Sequence, residues 1–206
     1  MTTAITDPMK SKISLHGLGF IQVQLEGNQR LHVWHPELPR RKCFEHSNVH
    51  NHRFGFQSRV LVGSLSNTIV RVFDQDLSTA PSNSKLLTLK DLYVHSSKRT
   101  SNGGRGWGLQ ERVAAVYYEP ATVHAGSTYL MTQYDYHEST PTGDGKVATI
   151  MSKGAEGIYA ASSLCTPGVT PDSDFDRFQL PEAILWAYVI EVLGAPSSVI
   201  FQGANK

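Results

Sequence analysis

The chain has little of what marks several large functional classes. Its 206 residues carry 19 Lys+Arg against 18 Asp+Glu, a formal net charge of +1 with neutral histidine. It therefore lacks the basic excess with which proteins hold phosphate backbones or anionic lipid, and nucleic acid and membrane surface are set aside as partners. Long apolar runs are missing too. The longest uninterrupted one, Ala183 to Ile190, falls far short of the ~20 residues that span a bilayer. The opening MTTAITDPMKSKISLHG holds no apolar stretch long enough for a signal peptide. Cysteine is scarce: Cys43 and Cys165 form no Cys-x-x-Cys pair, which argues against a disulfide scaffold or zinc knuckle and for a reducing, cytoplasmic setting. With 40% apolar and 18% charged residues, the chain is too apolar for disorder and too weakly charged for a coiled coil. One compact domain, or one domain with an appendage, suits this length.

What is present is β-patterned. Residues 18–35 read as two strands around Glu26-Gly27-Asn28, a hairpin signal. Residues 58–73 are rich in Val, Ile and Leu with a Gly-Ser break, and read as a second hairpin. Further strands are expected over 113–119, 126–137 and 146–152, separated by Pro120 and by Pro141-Thr-Gly-Asp-Gly145. Short strands at this spacing without intervening helices predict a mainly β antiparallel sandwich or barrel over 1–152. Residues 78–112 are polar, Gly-rich and aperiodic, and read as a long loop, either a surface excursion or a lid. The extension 153–206 is irregular until a helix over 181–193. Pro181 suits its first turn, Glu182 favours the positive end of its dipole and Gly194 suits its stop. Its broad apolar surface asks for burial against the barrel or a second subunit.

The nine histidines are the compositional oddity. In an extended chain residues two apart share a face, so His46, His50 and His52 can point the same way, and Phe54-Gly55 can turn Gln57 back toward them. Adjacent neutral imidazoles are ready metal ligands. A lone His-x-His is equally compatible with imidazoles satisfied by backbone hydrogen bonds. His46 reads as a core or supporting residue; His16, His32, His35 and His95 read as ordinary polar positions.

The surroundings add a resemblance. His50-x-His52, four residues, Gln57 and a Val-rich strand to Gly63 resemble the first motif of the cupin superfamily: His-x-His, three or four residues, Glu, and a Gly about six residues on. Gly126, five residues, Thr132-x-Tyr134, two residues and His137 match the Gly and His of the second motif but lack its Pro and inner Gly. His50 to Gly63 also looks like a block found in small bacterial and phage cupins. The resemblance covers residues 40–152. It implies a cupin-type antiparallel β-barrel (jelly roll) with a C-terminal helix, commonly a homodimer. It also implies a divalent metal on His50, His52 and His137, with Gln57 at the place of the usual Glu. Fe(II) leads among the candidate metals, with Mn, Ni and Zn able to use the same ligands. Gln brings a neutral carbonyl oxygen where Glu brings charge, so such a site keeps its full +2 and favours an anionic substrate. The set resembles the three-His iron sites of thiol dioxygenases, and it equally fits a cupin that has lost its metal.

His124 is the rival for the third ligand, or an acid–base group beside it. Tyr129, Tyr134, Asp135 and Tyr136 cluster before His137, with Tyr134 and Tyr136 as candidate catalytic groups, and Arg53 and Arg59 flank the first motif. Three functions follow as expectations. One is a non-haem iron oxygenase or oxidoreductase acting on a small polar molecule. Another is a metal-free sugar epimerase- or isomerase-like cupin pairing a His base with a Tyr acid. The last is a non-catalytic ligand-binding or assembly module.

Overall fold

A computed structural model describes residues 12–73, 87–172 and 174–194. Among these residues the chain forms strands β1 (Ile13–His16), β2 (Phe20–Gln24) and β3 (Gln29–Trp34), then a short helix α1 (Phe44–Ser47). Strands β4 (Phe54–Val62), β5 (Ser64–Phe73), β6 (Leu87–Arg99), β7 (Arg105–Tyr117) and β8 (Ala121–His124) follow. Then come β9 (Thr128–Met131), β10 (Tyr136–Pro141), β11 (Val147–Glu156) and β12 (Ser162–Cys165), and finally helix α2 (Glu182–Leu193). Two antiparallel sheets result. The first runs β1-β2-β3-β11-β4-β9, and the second runs β10-β5-β7-β6-β12 with β8 also paired to β5.

Strict alternation in β2 and β3 explains how the first sheet serves two neighbours. Ile21 pairs with Val33 and Val23 with Leu31, all almost wholly buried, and α2 packs Leu185, Trp186, Val189 and Val192 onto that face. Those helix positions recur at three- and four-residue steps, so one stripe meets the sheet. Pro181 precedes the helix and Gly194, left-handed at φ 64°, ends it. The opposite face of the same strands presents Phe20, Gln22, Arg30, His32 and Trp34 to a cavity shared with the second sheet. The helix expected over 181–193 is therefore present, and its apolar stripe is occupied by its own chain.

The second sheet buries Val49, Val70, Leu92, Val113, Ala115 and Leu164 against one another. Its two edge strands are joined by residues 49–51. His50 exchanges backbone hydrogen bonds with His137 at 3.0 and 2.9 Å, Leu164 N–H donates to Val49 at 2.9 Å, and Asn51 N–H donates to Ser162 at 3.0 Å. The architecture is mainly β, two antiparallel sheets with one C-terminal helix. Among the described residues the sheets remain two hydrogen-bonded units that face each other across the cavity.

Several finer sequence expectations need correction. Residues 58–73 are not a hairpin: β4 lies in the first sheet and β5 in the second, and the chain crosses between them at Gly63. Gly63 has φ +71°, and a Cβ there would collide with the Lys146 carbonyl, so only glycine fits the crossing. Residues 126–137 are likewise two strands, β9 and β10, on different sheets, with Tyr134 at φ 66° in the turn between them. The long polar segment is no loop from residue 87 onward. β6 and β7 form a 13-residue pair closed by a turn at 100–104, and its Ser- and Arg-rich composition reflects extensive solvent exposure. Residues 78–86 lie outside the described residues. Inside the stretch expected to be irregular, β11 runs on to Glu156 and β12 adds an edge strand. No helix among the described residues is long and apolar enough to cross a membrane.

Candidate metal centre

His50, His52 and His137 converge, with one ligand nitrogen of each within 4.8 Å of the others. Ring centroids are 4.8 Å apart for His50–His52, 4.7 Å for His50–His137 and 5.2 Å for His52–His137. The convergence is local in origin. The residue-50 backbone is zipped to residue 137, and His52 follows two positions on, its carbonyl accepting the Tyr134 N–H at 3.0 Å.

Hydrogen bonding sets the tautomers. His50 Nδ1 lies 2.9 Å from the Asn48 carbonyl oxygen, a bond that needs a proton on Nδ1 and leaves the Nε2 lone pair free. His137 Nδ1 lies 3.4 Å from Ser139 Oγ, and the Ser139 hydroxyl donates to Asn67 Oδ1 at 2.5 Å. Ser139 is thus an acceptor for His137, and Nε2 again carries the lone pair. That Nε2 is buried and has no hydrogen-bond partner. A buried polar atom without a partner is unfavourable by about 1–3 kcal/mol, and an ion shared with His50 and His52 at about 2 Å would satisfy it. The three residues can hold a metal ion.

Burial keeps these rings neutral, the state a metal requires. It pushes the His50 imidazole down to about 4, against the partial support of the Asn48 carbonyl. It holds His52 and His137 well below the ordinary imidazole value, with nearby histidines adding to the effect. Phe54, Phe56, Met131 and Met151 form a buried apolar cluster against the site.

The other sequence candidates fall elsewhere. Gln57 is exposed on β4, between inward-facing Phe56 and Ser58. The chain does not turn at Phe54-Gly55 but runs on as a regular strand, and alternation points Gln57 away from the histidines. His124 is exposed on β8 and bonded to Ser64 Oγ at 2.9 Å. Tyr136 sits one residue from His137 and so faces the other way, where its hydroxyl meets Ser162 Oγ at 2.5 Å. Tyr134 points its hydroxyl at the Tyr159 backbone N–H, 2.9 Å away. Neither tyrosine reaches the three imidazoles, so the His–Tyr pairing of the isomerase expectation is not assembled. Asp135 pairs with Arg71 and Arg59 is exposed. His46 lies on the exposed side of α1, because residues 44–47 are helical rather than extended.

Sequence reading missed much of the wall. His16, His32 and His95 line the cavity beside Tyr129, a member of the tyrosine cluster noted in the sequence; the cavity volume is about 340 Å³, a size suited to a small molecule. His95 stacks on Trp107 at 4.7 Å and bonds Ser163 Oγ at 3.0 Å. Burial pushes both His32 and His95 down to about 3, with neighbouring arginines adding to it. Six arginines also line the cavity: Arg30, Arg41, Arg53, Arg99, Arg105 and Arg177. A signal for His32 existed in the alternation of Arg30, His32 and Trp34, but only once the cavity-facing side of β3 is known.

These buried histidines make stability depend on pH. Each has a folded-state pKa below its unfolded value of about 6.5, so the unfolded chain takes up protons first as pH falls. The stability they contribute is complete above about pH 6.5 and is lost as pH falls toward the 3 to 4 at which His32, His95 and His50 protonate in the fold. Thermal melts should show a steep fall in Tm between about pH 6.5 and 4; a Tm that stays level through that window contradicts the assignment.

No protein-family model matches the chain, and no curated protein matches it. Among solved structures it is similar to Drosophila melanogaster CENP-C bound to CAL1, at TM-score 0.36 and 5% identity, covering 70% of this chain and 82% of that one. It is similar to an oxalate oxidase at TM-score 0.36 and 13% identity, covering 95% and 79%. A third likeness is to hydroquinone 1,2-dioxygenase from Sphingomonas sp. TTNP3 with 4-hydroxybenzoate bound, at TM-score 0.30, 10% identity and 65% coverage of each chain.

Proposed function

We propose that this protein is a metal-dependent enzyme on a cupin-type scaffold, a non-haem iron oxidoreductase acting on a small polar or anionic molecule. The observation that carries the reading is the buried His137 Nε2, which has no partner, on one of three imidazoles whose ligand atoms lie within 4.8 Å of one another. Ferrous iron on three neutral imidazoles, with open coordination positions, would supply dioxygen-linked redox chemistry.

The chain's own residues do the rest. Asn48 and Ser139 orient the His50 and His137 rings, as partners of ligating histidines commonly do. Phe54, Phe56, Met131 and Met151 keep water from one side of the site. Tyr129 takes the place that the sequence suggested for Tyr134 or Tyr136. Its phenol is pushed up by burial and so stays protonated at the cavity wall.

The test is oxygen uptake by Fe(II)-loaded, chelator-treated and Zn(II)-loaded protein against a panel of small carboxylates and phosphate esters. Uptake confined to the iron form is expected. Equal turnover of one of these compounds by the metal-free protein would overturn the reading.

A further inference from the structure

We infer that the cavity takes a small, multiply charged organic anion, a di- or tricarboxylate or a phosphorylated molecule, held by Arg30, Arg99, Arg105 and Arg177. The inference rests on the metal reading only for which end of the molecule reacts, and not for its binding.

The way these arginines are held is the central observation. Arg177 donates through Nε to the Leu15 carbonyl at 2.8 Å and through Nη2 to Ser14 Oγ at 3.0 Å. Arg105 donates to the Ser96 and Ser97 carbonyls at 2.8 and 2.6 Å, and Arg99 to the Gly103 carbonyl at 2.6 Å. Arg99 and Arg105 are register partners across β6 and β7. Arg30 leans on the Gln24 side-chain carbonyl at 3.4 Å. Neutral carbonyls and a hydroxyl fix where these guanidiniums point without cancelling their charge. Among the described residues, none of the four has a carboxylate within ion-pair distance.

Arg41 extends the same field. It is 8% exposed, stacks on Trp107 at 4.6 Å, donates to the Ser47 carbonyl, and has a buried Nε without a partner. Arg53 is different, because Glu156 neutralises it. Asp172 is then the one carboxylate of the cavity wall outside an ion pair among the described residues.

Like charges gathered in a partly desolvated pocket repel, and the Arg177 pKa is pushed down to about 10 by burial and then by Arg99, Arg30 and Arg105. A bound anion would offset that repulsion, and guanidinium forks match carboxylate and phosphate oxygens in pairs. The positive field lies inside a concavity of about 340 Å³ while the whole chain carries only +1. The ligand is therefore a small molecule rather than a polymer surface.

The test uses the full chain as purified, at fixed ionic strength, titrated calorimetrically with inorganic phosphate, succinate and acetate. At least one dianion should bind, with acetate about tenfold weaker. Tighter phosphate assigns a phosphorylated ligand and tighter succinate a carboxylate; both support the inference. The Arg99→Gln, Arg105→Gln double variant lies on the rim and should weaken dianion binding by about tenfold or more, while Arg59→Gln, exposed on β4 outside the cavity wall, stays within about twofold. His52→Ala should lose metal yet keep the dianion, which separates failure here from failure of the metal reading. Absence of dianion binding, acetate binding as tightly as succinate, or an unaffected double variant would each overturn it.

Discussion

His52→Ala is expected to reduce the metal content of protein purified without chelator or affinity nickel from near one ion per chain to background. Its affinity should weaken by more than about 100-fold, since loss of a mere orienting partner already weakens metal sites by about 10–100-fold. His137→Ala should do the same. Ser139→Ala, which removes the acceptor that orients His137 together with its own bond to Asn67, belongs in the lower range. Gln57→Ala and His124→Ala are the informative controls. Both side chains are exposed and lie away from the three imidazoles, so their metal content should match wild type. Elemental analysis of the five proteins decides the matter. A metal-replete His52→Ala protein, or one depleted by Gln57→Ala, would contradict the site as drawn.

Gly63→Val should have the largest effect on folding. The residue carries the chain from the first sheet into the second at φ +71°, where a β-branched side chain is strained, and its Cβ would strike the Lys146 backbone carbonyl and crowd Val147. The backbone has little room to yield, because the neighbouring Gly63 carbonyl accepts the Ala125 N–H at 3.0 Å. A loss of at least about 3 kcal/mol is expected from strain and collision together. Metal uptake should fall with it, since β4 follows His52 and β5 pairs with the strand bearing His137. Denaturant titration measures the first effect, and a loss under about 1 kcal/mol would show that the crossing can relax.

The sequence revealed the large outlines because they rest on short-range rules. The β2–β3 hairpin follows from alternation around Glu26-Gly27-Asn28, and α2 from Pro181, Gly194 and the spacing of Leu185, Val189 and Val192. Which imidazoles meet was legible through the spacing of His50, His52 and His137. What failed was whatever depends on three-dimensional partners. A Gly-Ser break marks a hairpin and a sheet-to-sheet crossing alike, so β4 and β5 looked paired. The tip of β6–β7 is polar because it is exposed, and polarity alone reads as loop. Gln57 was placed by motif position, whereas the side on which it emerges follows from where β4 begins. The arginine array comes from β3, β6, β7 and the segment before α2, separate stretches that no local window brings together.

One feature of β3 bears on how such a protein can change. Leu31 and Val33 serve the helix, while Arg30, His32 and Trp34 serve the cavity. Even and odd positions of a six-residue strand thus answer to different demands. Substitutions at even positions can retune charge and shape in the pocket while the helix packing stays as it is. A single-residue insertion upstream would exchange the two sets and ruin both at once. The strand leaves the pocket open to point substitution and closed to changes of length, so new ligand preferences would arise there by replacing side chains in place.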